Sequence, residues 1–137
     1  MASKSDYLEN KTLDHNNGKT AFTMPTTVAV ALCTTVPTDA STGATIVEAT
    51  GATGYARIVV AAASLNAAAA GQTTNSVALT GAAITAGSAT VIGFAVLDDS
   101  TTGAGNVLYW GTCTSVVISS TQTPPTVAIG QYVCNED

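Results

Sequence analysis

Positions 58–97, between Arg57 and Asp98, form a run of about forty residues without one charged side chain. A membrane-spanning helix needs ~18 consecutive apolar residues. Here Thr, Ser, Asn, Gln and Gly interrupt every apolar run well short of that. Short Val/Ile/Leu/Phe runs bounded by Gly and small polar residues are the pattern of antiparallel sheet. The same run holds no acid or base that could activate its hydroxyls, so it favours packing over chemistry.

The period-two signal is clearest in "TTVAVALC", where Val28, Val30 and Leu32 alternate with Ala29, Ala31 and Cys33. Alternation of that kind puts one row on each face of a sheet. Further strands are expected at 44–49, 55–63, 76–84, 88–98, 107–113, 115–119 and 126–134. The segment at 88–98 is the strongest, and it forms a hairpin with "VLYWGTC" across the polar tip "DDSTTGAGN". The segment "LNAAAAGQTTN" reads as a loop, because four alanines are too few to nucleate a helix. About eight short strands with regular turn signals predict an all-β, antiparallel β-sandwich or jelly-roll-like fold.

A different pattern precedes the strands. Lys4, Asp6, Glu9, Lys11, Asp14 and Lys19 fall in the first nineteen positions. Ser5 can cap a short helix starting at Asp6, with Asp6 and Glu9 near its positive end. Asn16, Asn17 and Gly18 stop it. The apolar side of this helix is only Tyr7, Leu8 and Leu13, so it needs something to dock on. The chain therefore divides into a docking arm at 1–25 and a sandwich domain at 26–137.

Composition narrows the function further. Of the 137 residues 46% are hydrophobic, but only 5% are aromatic and alanine supplies much of the rest, so the core is thin. Charged residues make up 9%, against ~25% in an ordinary globular chain, a surface poorly defended against association. Four Lys/Arg against nine Asp/Glu give a net charge of −5, which argues against nucleic acid as a partner. No membrane partner is expected either. The polar opening residues lack the apolar core of a signal peptide, so secretory export is not expected. Cys33, Cys113 and Cys134 have no CxxC spacing and read first as small hydrophobes in a reducing cytoplasm. One disulfide with a spare thiol, or a cross-link between subunits, are the alternatives.

Few residues qualify for a chemical site. His15 is the lone histidine and lies in the arm, a poor place for a triad. Asp98 and Asp99 are more simply turn-closing carboxylates than calcium ligands. Gly51, Gly54, Gly103 and Gly105 fit tight turns rather than a phosphate loop. The expectation is a protein with no catalytic residue, no cofactor and no metal. Candidate interface residues are Tyr7, Leu8, Leu13, His15 and Phe22 of the arm, with Tyr109 and Trp110. These last two are consecutive in a strand, so they point to opposite faces.

The segment "SDYLENKTLDH…GKTAFTMPTTVAVALCTTVPTD" resembles the opening of a family of small tailed-bacteriophage virion proteins. "GYARIVV", "TNSVALT", "IGFAVLDD" and "GNVLYWGT" resemble later blocks of that family in the same order. The resemblance implies a virion structural protein, assembled in the host cytoplasm, with no active site. On this reading the chain is a capsid decoration or cement protein bridging capsomers. Its partners are the major capsid protein or other virion subunits, and further copies of itself in a homo-oligomer. A tail or tail-fibre component is the alternative, and a carbohydrate- or host-surface-binding module is the alternative from another class.

Overall fold

The computed structural model describes residues 2–136. In chain order these form β1 (Ser3–Lys4), α1 (Asp6–Asn16), β2 (Ala29–Cys33), β3 (Ala52–Thr53) and β4 (Ile58–Val59). A 3-10 turn at Ala62–Ser64 follows, then β5 (Gln72–Thr74), β6 (Leu79–Thr80), β7 (Ala86–Leu97), β8 (Val107–Ser119), β9 (Thr126–Val127) and β10 (Val133–Asn135). The fold is all-β and antiparallel, with one helix near the N-terminus. The main sheet runs β1-β8-β7-β2-β4, and β3 joins the far end of β7. Two two-stranded ribbons, β5/β10 and β6/β9, make the second layer of the sandwich.

Register explains why small and large residues alternate in the sequence. Val30, Val96 and Tyr109 lie side by side across β2, β7 and β8, and their neighbours Ala31, Ala95 and Trp110 do the same. The first row packs with Ile58, Val60, Leu79, Tyr132 and Cys134, which brings both ribbons onto that face. Fully burying a Val, Ile or Leu side chain is worth ~1.5–3 kcal/mol, so this cluster is the main apolar support of the fold. On the other face Ala31, Cys33, Ala95, Leu97 and Val107 are buried, with Trp110 and Ile46 packed against them. Alanine on that face leaves room for the indole. A thin core by composition is thus one large ring laid over small residues.

Asn75 ties the ribbons together. It is fully buried, and its Nδ2 donates to the carbonyls of Val77 (2.8 Å) and Ala128 (2.9 Å). Its Oδ1 accepts from the Tyr132 N–H at 3.0 Å, and its backbone carbonyl accepts from the Gly130 N–H at 3.1 Å. A buried amide with its polar atoms satisfied is stabilising; the same group half-satisfied would be costly.

The strand pattern differs from expectation in several places: the stretch at 126–134 holds two strands, β9 and β10, in different ribbons, and those expected at 55–63 and 76–84 shorten to β4 and β6. Residues 44–46 form a turn instead of a strand, the Thr45 and Ile46 N–H groups both bonding the Thr42 carbonyl at 3.0 and 3.1 Å. Only residues 47–49 run beside β2, through the Thr34 N–H to the Val47 carbonyl and the Ala49 N–H to the Leu32 carbonyl, both 2.9 Å. The segment read as a loop at 65–75 contains β5, because Gln72, Thr73 and Thr74 pair with Asn135, Cys134 and Val133. The two strands expected at 107–113 and 115–119 are one strand, β8. The register slips between Val91↔Val116 and Gly93↔Thr112, so three residues of β8 oppose Ile92 alone. A bulge of this kind absorbs the polar Cys113–Thr114–Ser115 step without ending the strand.

Candidate functional site

The arm docks on its own domain. Ser5 caps α1, its Oγ accepting from the Leu8 N–H at 3.2 Å, and is itself fully buried. The same Oγ donates to the Val107 carbonyl, and the Ser5 N–H donates to the Leu108 carbonyl at 3.0 Å. Residues Ser3 and Lys4 of β1 pair with Trp110 and Tyr109 on β8. The indole Nε1 of Trp110 donates to the Lys4 carbonyl at 3.2 Å, while the Lys4 ammonium pairs with Glu136. Tyr109 donates its hydroxyl to Glu136 Oε1 at 2.7 Å. Burial acts to raise the Glu136 carboxyl, but Lys4 and Tyr109 outweigh it and hold the group below its ordinary value. Both ends of the described chain thus meet at Tyr109 and Trp110.

The seven candidate interface residues therefore divide. Leu8 is buried against the chain's own domain, and Tyr7 is half-buried with the Lys11 ammonium 5.7 Å from its ring centre. Tyr109 and Trp110 take opposite faces and are both half-buried at the arm seam. Leu13 is 59% exposed, and His15 is exposed with its Nδ1 accepting from the Phe22 N–H at 3.1 Å. Phe22 is half-buried, and its neighbour Met24 is 83% exposed. The outward apolar surface of the arm is thus Leu13 and Met24.

A second constellation fixes the β7–β8 tip, residues 98–106. Glu48 and Arg57 form a buried ion pair, Oε1 to Nη2 at 2.7 Å. Arg57 Nη1 donates onward to the carbonyls of Asp99 (2.8 Å) and Ala104 (2.9 Å). Glu48 also accepts from the Tyr55 hydroxyl at 2.8 Å and the Gly103 N–H at 3.2 Å. Burial alone would raise the Glu48 carboxyl; hydrogen bonds from Arg57, Tyr55 and Gly103 reverse that and hold it below its ordinary value. Asp98 accepts from both nitrogens of Asn106, at 2.6 and 2.8 Å, and Asp99 Oδ1 accepts from the Thr101 N–H at 2.7 Å. Each carboxylate closes its own turn. Gly105 sits at φ +81, where a Cβ would come within 2.6 Å of the Asp99 side chain, so only glycine fits.

The third feature is open backbone. β1 covers β8 only at Tyr109 and Trp110, so residues 111–119 have no neighbouring strand on that edge among the described residues. Beside this edge runs a groove of about 620 Å³ between the main sheet and the 126–134 segment. Leu32, Phe94, Cys113, Val116, Val127 and Tyr132 line it.

Residues 3–135 match the family model described as podophage GP4 fiber I protein gp80. The chain belongs to that family. It is accordingly a phage virion structural protein of the tail-fibre-like kind, and it associates with other virion components. No curated protein matches it. Within this fibre-family chain, sequence reasoning missed the Glu48–Arg57 pair and Asn75. The pair did leave a signal: Glu48 and Arg57 are the only charges between Asp39 and Asp98. An isolated acid and base in an uncharged stretch have little reason to be there except each other.

Proposed function

We propose that this protein is a non-enzymatic subunit of a phage fibre, acting by repeated self-association and by presenting its rigid 98–106 tip outward. The family match from residue 3 to residue 135 carries the reading. The uncharged open edge of β8 and the exposed apolar residues Leu13, Met24, Val116 and Ile129 support it, because a monomer gains nothing from them. Leu13, His15 and Phe22 are then contacts with a neighbouring subunit, whereas Tyr109 and Trp110 serve the neighbour indirectly by anchoring the arm.

The capsid-cement role expected from sequence is the reading this one displaces, since the family description names a fibre and not a shell. Electron micrographs of particles carrying a gold-binding tag on the C-terminus separate the two. Gold at fibres supports the proposal, and gold distributed over the head returns the cement role.

A further inference from the structure

We propose that the open edge of β8, with the groove beside it, accepts residues 20–27 of a second copy of this chain as an added strand. Strand addition needs an unpaired edge for main-chain hydrogen bonds and pockets for alternate side chains. The edge at 111–119 supplies the first, and the groove of about 620 Å³ lined by Leu32, Phe94, Val116 and Tyr132 supplies the second. The donor has the matching form. Residues 20–27, "TAFTMPTT", belong to no helix or strand, and Phe22 and Met24 stand two apart, so that on extension, with the Phe22 N–H released from His15 Nδ1, both would fall on one side of the chain. Pro25 is compatible with an edge position, where one N–H faces away from the ladder.

Charge selects a second copy over a foreign partner. The protein carries −5 overall, yet neither residues 20–27 nor residues 111–119 contain a charged side chain. Two copies can meet along these segments without like-charge repulsion, while a charged peptide would find no counter-ion there. Cys113 marks the place: it is exposed, sits in the β8 bulge and lines the groove. Donor and acceptor are different surfaces, so the contact is head-to-tail and builds a ring or a filament.

The proposal deepens the fibre reading and rests on its premise that copies assemble. It is tested on purified full-length protein, so its failure is separable from the particle-labelling result. Native mass spectrometry should show an oligomer for the unaltered chain and a monomer for Met24→Asp, with circular dichroism unchanged because Met24 is 83% exposed. Met24→Cys, treated with a mild two-electron thiol oxidant such as diamide, should give a disulfide between chains, from the introduced thiol to Cys113, that disappears in Met24→Cys/Cys113→Ser. A monomeric unaltered protein would overturn the proposal and assign the groove to another virion protein. An oligomer that survives Met24→Asp, or one whose new thiol never reaches Cys113, would overturn it equally.

Discussion

Glu48 and Arg57 face each other across 2.7 Å with side chains 3% and 0% exposed, and Arg57 hands two further hydrogen bonds to the tip at Asp99 and Ala104. Removing one partner leaves a buried charge uncompensated, a loss of about 3–5 kcal/mol. Arg57→Met should therefore lower the urea midpoint strongly and free the tip backbone for hydrogen exchange at residues 99–104. Glu48→Leu/Arg57→Met should recover much of the stability but not the protection of the tip. Equal protection in the double variant would show that Arg57 does not order the loop.

Acid sensitivity follows from the same carboxylate. Glu48 and Glu136 are both held below the ordinary value of about 4.3 that the unfolded chain shows. A depressed group contributes stability that is full above the unfolded value and is lost as pH falls through the lower folded one. Urea unfolding should be nearly independent of pH from 7 down to about 5 and weaken steadily below about 4. Glu48→Gln should be less stable at neutral pH and flatter in acid. An unchanged acid slope in that variant would assign the effect elsewhere.

Asn75 offers a test of the second layer. Asn75→Ala strips partners from the carbonyls of Val77 and Ala128 and from the Tyr132 N–H. Each buried group left unpaired costs about 1–3 kcal/mol, so a loss of at least ~2 kcal/mol is expected. Hydrogen exchange should rise first in β5, β6, β9 and β10. A rise confined to the main sheet would contradict the pinning role.

The thiols should separate cleanly. Burial raises all three thiols, Cys33 to about 12 with Glu48 adding to it, but only Cys113 is exposed, so access separates them. Reaction requires the thiolate and access to it. Iodoacetamide at pH 8 should label Cys113 alone in the unassembled native chain, and all three cysteines in urea. Labelling of Cys33 without denaturant would mean that the sheet opens locally.

Local signals in the sequence held where local physics decides. The row Val28, Val30, Leu32 and its partner row Ala29, Ala31, Cys33 do take opposite faces, and Ser5 and Asn17 do bound the helix. The β7–β8 hairpin with its Asp98 turn was equally readable. Distant contacts decided the rest. Gln72–Thr74 is a strand only because residues 133–135 lie beside it, and Thr45 and Ile46 are β-prone yet spend their N–H groups on the Thr42 carbonyl. The acceptor for the arm was not legible in the sequence, because Ser5, Lys4, Tyr109 and Glu136 come together from distant parts of the chain.

The account as a whole depends on this protein being built into the particle. Quantitative mass spectrometry of density-purified mature virions measures that directly. A fixed multiple of copies per particle, retained through the gradient and through removal of loosely bound protein, is the predicted result. Its absence from mature particles, with the chain free in the lysate as a dispersed monomer, would contradict the account.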